Sequence, residues 1–127
     1  MGYVLVVDDE APVRGMLDAL LTQAGHRVET AHEGGEALEL LAQADFDLII
    51  LDLLMPGMEG METLTRLRKT YPELKVIVIS GGSRAIKMDL LPAARALGAH
   101  RVIRKPFHNE AMLTAVAELL AESAGQE

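Results

Sequence analysis

The stretch Leu48-Ile49-Ile50-Leu51-Asp52 decides the fold class, because four consecutive apolar residues run directly into an acid. A strand that is apolar at every position, rather than at alternate positions, is typical of a parallel sheet covered on both faces. The stretch Tyr3-Val4-Leu5-Val6-Val7 has the same character and runs into Asp8-Asp9. The sequence therefore predicts two buried parallel strands that each end in carboxylates.

Outward from these strands, short β-rich runs alternate with longer segments of helical periodicity, and five such units can be counted. This alternation predicts an α/β fold, an open five-stranded parallel doubly wound sheet with helices on both faces. The strand order expected for this sheet is the flavodoxin-like 2-1-3-4-5, one of the two common orders of doubly wound sheets. The predicted strands are Tyr3–Val7, Arg27–Ala31, Leu48–Leu51, Val76–Ile79 and Val102–Arg104. The predicted helices are Pro12–Ala24, a segment after Gly34-Gly35 that ends near Ala44, Met61–Thr70, a fourth near Pro92, and Glu110–Ala121 behind Asn109 as cap.

The fourth helix is the hardest to place, because Pro92 interrupts a set with helical spacing, namely Leu90, Leu91, Ala94 and Leu97. With Asp89 as N-cap, Pro92 falls in the first turn, where its missing N–H costs nothing. Residues 81–88 are then predicted to form a loop or a frayed turn.

Composition limits the functions to consider. Half of the 127 residues are hydrophobic, which predicts one domain over residues 1–121 with a short polar tail over 122–127. The net charge is −7 and the basic residues are scattered, so direct nucleic-acid binding is not expected. There is no Cys, hence no thiolate metal site, and no apolar stretch has the length of a membrane span. The N-terminus lacks the features of a signal peptide, so a cytoplasmic location is expected.

Polar side chains stand where four of the five predicted strands end: Asp8 and Asp9, Asp52, Ser80, and Lys105. In open α/β sheets, ligands bind beyond the carboxyl ends of the strands, where the strand order reverses. Three converging carboxylates repel each other unless a cation is present. Oxygen ligands without Cys favour Mg²⁺ or Mn²⁺, and a Mg²⁺ held by few carboxylates usually has a phosphate as a further ligand.

The remaining groups suit phosphoryl transfer. Lys105 offers a positive charge and Ser80 a hydroxyl donor for the oxygens of a phosphoryl group. Asp52 would then be the nucleophile, because an Asp carboxylate can attack phosphorus and form an acyl phosphate. Taken singly, Asp8-Asp9 also fits a helix cap, and Ser80 also fits a turn. Their joint placement favours a site.

At these residues the chain resembles a response-regulator receiver domain of two-component signalling, of the stand-alone type, over nearly its whole length. The matching motifs are Asp8-Asp9, the run Asp52-Leu53-Leu54-Met55-Pro56-Gly57-Met58-Glu59-Gly60, Ser80, and Lys105-Pro106-Phe107. The resemblance implies that Asp52, Ser80 and Lys105 are the catalytic residues. It also implies that Asp8, Asp9, Asp52 and the backbone carbonyl of Leu54 hold the metal, and that the Lys105-Pro106 bond is cis.

By the same resemblance, a histidine kinase or histidine phosphotransfer protein donates the phosphoryl group, and the domain catalyses only its own phosphorylation and dephosphorylation. A downstream protein partner would bind the surface of helix 4, strand 5 and helix 5, and the chain would be a monomer or a weak homodimer. Neither nucleic acid nor membrane is expected as a direct partner.

One position departs from the family pattern. Val102 stands where an aromatic residue commonly reports phosphorylation, so switching is expected to depend on the Gly81-Gly82 loop and helix 4. Two alternatives stay open: a pseudo-receiver that binds partners without phosphorylation, and an Asp-nucleophile phosphatase, although that class uses a D-x-D pattern on its first strand. The four histidines, His26, His32, His100 and His108, share no ligand spacing and are predicted to be surface residues.

Overall fold

A computed structural model describes residues 2–53, 59–81 and 91–125, without the side chains of Glu59, Leu91 and residues 123–125. Its centre is a five-stranded sheet in the order β2-β1-β3-β4-β5 in which every pairing is parallel. The strands are β1 (Tyr3–Val7), β2 (Arg27–Ala31), β3 (Leu48–Asp52), β4 (Lys75–Gly81) and β5 (Arg101–Lys105). The predicted fold class and strand order are therefore confirmed.

The helices alternate with the strands along the chain. They are α1 (Ala11–Gln23), α2 (Gly34–Gln43), α3 (Glu59–Thr70), α4 (Leu91–Ala96) and α5 (Asn109–Gly125). None of the helices in the described ranges is long and apolar enough to cross a membrane.

Several predicted boundaries need correction. Strand β4 extends to Gly81, so Ser80 lies within the strand rather than after it, and α2 includes the two glycines that were placed before it. Helix α5 continues to Gly125, four residues past its predicted end, and so enters the segment predicted as a tail. Polarity alone does not end a helix, and residues 121–124 contain neither Gly nor Pro.

The sheet separates two hydrophobic clusters. Leu5 and Val7 lie in one cluster, with residues of α2, α3 and α4, whereas Val4 and Val6 lie in the other, with residues of α1 and α5. Successive residues of a strand point to opposite faces, so a strand buried on both faces must be apolar at each position. This packing explains the continuous apolar runs from which the fold class was predicted.

The described part of α4 begins at Leu91, and Pro92 is its second residue, so the placement of this proline in the first turn stays a prediction. The predicted cap Asp89 and most of the predicted loop lie outside the described residues. Leu97, which shared the helical spacing, lies beyond the end of α4 and is 39 % exposed. Gly98 follows with a φ of 110°, a left-handed conformation that favours glycine and turns the chain away from the helical path.

Two of the four histidines are not plain surface residues. His26 and His100 are half-buried, and each accepts a backbone hydrogen bond at Nδ1, from the N–H of Gly2 (3.2 Å) and of Val76 (3.0 Å) respectively. Each stands immediately before an edge strand, β2 or β5. His32 and His108 are exposed, as predicted.

Candidate functional site

Three carboxylates meet at the carboxyl edge of the sheet, where β1 and β3 end side by side. Asp8 directly follows β1 and Asp52 is the last residue of β3, and both are buried, with exposed fractions of 0 % and 2 %. Asp9 is exposed. One oxygen from each of the three lies within 4.8 Å of the others, so the three predicted metal-binding side chains are brought together.

Lys105 supplies the positive charge of this cluster. Its Nζ lies 2.9 Å from Asp8 Oδ2, 3.2 Å from Asp52 Oδ2 and 3.4 Å from Glu10 Oε2. Burial by itself lowers the pKa of Lys105, but the hydrogen bond to Asp8 and the charge of Asp52 outweigh it and raise the pKa above its usual value. The ammonium group is therefore charged at neutral pH and offsets the repulsion between the carboxylates.

Short local contacts hold Asp8 in place. Its Oδ1 accepts the N–H of Glu10 at 2.9 Å, and its backbone carbonyl accepts a hydrogen bond from Arg14 Nη1 at 2.7 Å. Its own N–H donates to the carbonyl of Ala31, at the end of β2. The carboxylate is thus oriented before any ligand arrives, which lowers the cost of ordering it on binding.

Ser80 reaches the same edge through the strand register. Asp52 pairs with Ile79 and Lys105 pairs with Gly81, so Ser80 stands between the partners of the other two residues. It is buried, with 8 % of its surface exposed. Leu54, the fourth predicted metal ligand, lies outside the described residues. The Lys105-Pro106 peptide bond is cis, as the resemblance implied.

Gly60, the last residue of the motif that begins at Asp52, lies at a close approach between two backbone segments. A Cβ added to Gly60 would lie 2.5 Å from the carbonyl oxygen of Leu53 and 2.8 Å from that of Asp52. At Gly60, helix α3 therefore lies against the backbone that carries Asp52, at a distance that only glycine allows.

The donor set fits a hard divalent ion. Its side-chain donors are carboxylate oxygens, which Mg²⁺ and Mn²⁺ prefer, and two of them are oriented by Lys105 and by backbone contacts. The predicted set omitted Glu10, which contacts the ammonium group of Lys105. The sequence indicated Glu10 only as the third of three consecutive acids, after Asp8 and Asp9. That its side chain turns toward Lys105 is seen only in the fold.

Comparison with known proteins gives the same class. The family model described as the response regulator receiver domain matches residues 4–117. Over 125 residues, the chain is 31 % identical to a protein of Bacillus subtilis (strain 168) described as the uncharacterized transcriptional regulatory protein YkoG, covering 96 % of this chain and 52 % of that protein. The chain thus spans about half the length of this curated relative.

Solved structures agree. A response regulator receiver domain protein (CheY-like) from Methanospirillum hungatei JF-1 superposes with a TM-score of 0.90 at 28 % identity, over 100 % of this chain and 99 % of that one. The receiver domain of NtrX from Brucella abortus gives a TM-score of 0.85 at 30 % identity, over 93 % and 98 % of the two chains. The chain belongs to the response regulator receiver domain family.

Proposed function

We propose that this chain is a phosphorylatable receiver that accepts a phosphoryl group on Asp52 with Mg²⁺ or Mn²⁺ and signals through a partner protein. The observation that carries the proposal is the convergence of Asp8, Asp9 and Asp52 within 4.8 Å, with Lys105 in contact with Asp8 and Asp52. Two carboxylates that contact one lysine are common in proteins. Three acids and a lysine at the strand ends of a receiver fold are a set suited to phosphoryl transfer.

In the proposed reaction, a carboxylate oxygen of Asp52 attacks the phosphorus of a phosphohistidine on a histidine kinase or histidine phosphotransfer protein. A P–O bond forms and the P–N bond breaks, with its electron pair staying on the ring nitrogen, which takes up a proton from water so that the histidine leaves as neutral imidazole. Hydrolysis later resets the domain, when water attacks phosphorus and the acyl phosphate separates into the Asp52 carboxylate and inorganic phosphate.

Lys105 and Ser80 would bind oxygens of the phosphoryl group. Lys105 Nζ already lies 3.2 Å from Asp52 Oδ2, and Ser80 follows the strand partner of Asp52. Fixed donors stabilise the charge that spreads over the phosphoryl oxygens in the transition state. A phosphoryl group on Asp52 would also draw Lys105 away from Asp8 and Glu10, since it carries more charge than either carboxylate.

Asp8, Asp9, Asp52 and the carbonyl of Leu54 would hold the divalent ion. When bound, the ion supplies the positive charge that lets a phosphoryl group approach three carboxylates. The chain's own residues orient the ligands: Arg14 holds the backbone of Asp8, and Lys105 holds the side chains of Asp8 and Asp52.

The downstream partner is proposed to bind the surface of α4, β5 and α5. Val102 packs partly buried against the cluster on the α4 side of the sheet. A β-branched side chain has few rotamers to exchange, so the proposed switch depends on the Gly81-Gly82 segment and on α4.

The test is the intact mass of the chain after incubation with acetyl phosphate, with and without Mg²⁺. One phosphoryl adduct is expected, and it should require Mg²⁺. Asp52→Asn should abolish the adduct, whereas Asp18→Asn, a change of an exposed acid on α1, should leave it intact.

The opposite result has a definite meaning. If the folded native chain takes no phosphoryl group with Mg²⁺ present, or if Asp52→Asn is labelled as fully as the native chain, the proposed reaction is wrong. A phosphorylation-independent receiver-like binding module would then be the better account.

A further inference from the structure

A groove opens at the amino edge of the sheet, the edge opposite Asp52. It lies between the end of α2 with the loop before β3 and the end of α3 with the loop before β4, and its volume is about 610 Å³. We call it the α2–α3 groove. Its size is that of sites which take a small ligand or a few side chains of a partner.

The lining of the groove is apolar inside. The apolar lining consists of two leucines that are each 6 % exposed, Leu41 and Leu74, and of the half-buried rings of Phe46 and Tyr71. Phe46 is also stacked on Tyr3, with ring centroids 4.1 Å apart. Aromatic and aliphatic surfaces of this kind favour burial of an apolar side chain.

The groove's charged lining residues are all acidic. Asp45, Asp47 and Glu73 are exposed, and its lining contains no Lys or Arg. Within residues 2–53, 59–81 and 91–125, none of the ion pairs involves these three acids. Helix α2 ends here without a basic residue in its last turn, whereas the last turn of α3 carries Arg68 and Lys69, neither of which lines the groove.

Both walls are held in shape. Arg68 donates hydrogen bonds to the carbonyls of Leu74 (2.7 Å) and Pro72 (2.9 Å), two lining residues, and so fixes the loop before β4. On the other wall, Asp47 Oδ2 accepts the N–H of Tyr3 at 2.8 Å. A groove that is formed before binding avoids much of the entropy cost of ordering its loops.

We propose that the α2–α3 groove binds a segment of a partner protein that places a Lys or Arg next to an aromatic or aliphatic side chain. The apolar side chain would enter between Phe46 and Tyr71, and the cation would meet Asp45 and Glu73. Strand β3 separates this groove from Asp52 by about 15 Å, at about 3.3 Å per residue. A partner held there leaves the phosphorylation site uncovered.

The first step of the test is to select, from a library of random heptapeptides, those that bind the immobilised full chain. The affinity of the most enriched peptide for the chain is then measured by fluorescence anisotropy. The enriched peptides should share a Lys or Arg beside an aromatic or aliphatic residue. Glu73→Lys and Asp45→Lys should each weaken binding about fivefold or more, since each places a cation where the peptide's cation would sit.

Glu39→Lys is the matched control, because it makes the same change of charge at an exposed position of α2 that does not line the groove. It should weaken binding less than about twofold, the size of a screened effect on net charge. Circular dichroism checks that each variant is folded.

Three results would overturn the proposal. The first is a selection whose enriched peptides, if there are any, lack basic residues. The second is equal weakening of binding by Glu39→Lys and Glu73→Lys. The third is a set of groove amide resonances that shift with the concentration of the chain alone. The last result would mean that a second copy occupies the groove.

Discussion

The two edges of the sheet differ in what their polar side chains contact. At the carboxyl edge, Lys105 contacts the carboxylates of Asp8, Glu10 and Asp52, so charges are held against one another. At the amino edge, His26 and His100 accept hydrogen bonds from backbone N–H groups that the sheet leaves unpaired. The two histidines at the amino edge thus complete backbone hydrogen bonds, whereas the carboxyl edge keeps groups that a metal ion or a phosphoryl group can bind.

The largest effect is expected from Lys105→Met, which removes the cation and leaves Asp8 and Asp52 buried together. Loss of one partner from a buried charge cluster costs about 3 kcal/mol or more of the free energy of unfolding. Urea denaturation without divalent ions measures this loss. Added Mg²⁺ should stabilise the variant more than the native chain, because the ion replaces the missing charge.

Lys69→Met, a change of an exposed lysine on α3, is the control and should stay within about 0.5 kcal/mol of the native chain. A loss below about 1 kcal/mol in Lys105→Met would show that water already screens the carboxylates, and the two edges would then differ less than their contacts indicate.

A smaller effect is expected at Gly60, where the carboxyl edge meets α3. Gly60→Ala places a Cβ 2.5 Å from the carbonyl oxygen of Leu53, so the free energy of unfolding should fall by about 1–3 kcal/mol. Labelling of Asp52 by acetyl phosphate should also slow, because the displaced backbone carries Asp52.

Gly15→Ala is the matched control, because Gly15 lies inside α1 and an added Cβ there would meet nothing within 4 Å. Alanine should stabilise that helix by about 0.5–1 kcal/mol. If both substitutions stabilise the chain, the close approach of α3 to Leu53 is not a constraint.

The smallest effect is a pH dependence at the amino edge. Burial, together with the positive charge of the N-terminus, lowers the pKa of His26, and burial with the charges of Arg68 and Lys75 lowers that of His100. As pH falls, each of these histidines binds a proton in the unfolded chain before it does so in the folded chain. The free energy of unfolding therefore has its full value from these groups above about pH 6.5 and declines as pH falls below it.

Urea denaturation between pH 7.5 and 5 should therefore show a decline in stability that is smaller in His26→Gln and in His100→Gln. A difference of one bound proton between the unfolded and folded chains changes the free energy of unfolding by about 1.4 kcal/mol per pH unit. Each histidine should contribute only a fraction of this slope, because both rings are partly exposed. His108→Gln, at an exposed position, should leave the decline unchanged. Equal declines in all three variants would assign the pH dependence to other groups.

Much of the fold could be predicted because burial on both faces leaves a simple pattern. Every residue of Leu48–Leu51 is buried, and this condition produces an unbroken apolar run. Boundaries were less predictable, as the extension of α5 to Gly125 shows, because the polar residues after Ala121 are compatible with both a helix and a tail.

The sequence by itself determined the parallel sheet and the placement of Asp8, Asp9 and Asp52 at one edge of it, because parallel strands must bring their carboxyl ends to one edge. Only the tertiary structure decided which carboxylates Lys105 contacts, which histidines complete the sheet, and that the ends of α2 and α3 leave an acidic groove. The physical reason is distance along the chain. Strand ends follow from local patterns, whereas contacts such as Lys105 with Asp8, 97 residues apart, depend on how the packed helices and strands set side chains together.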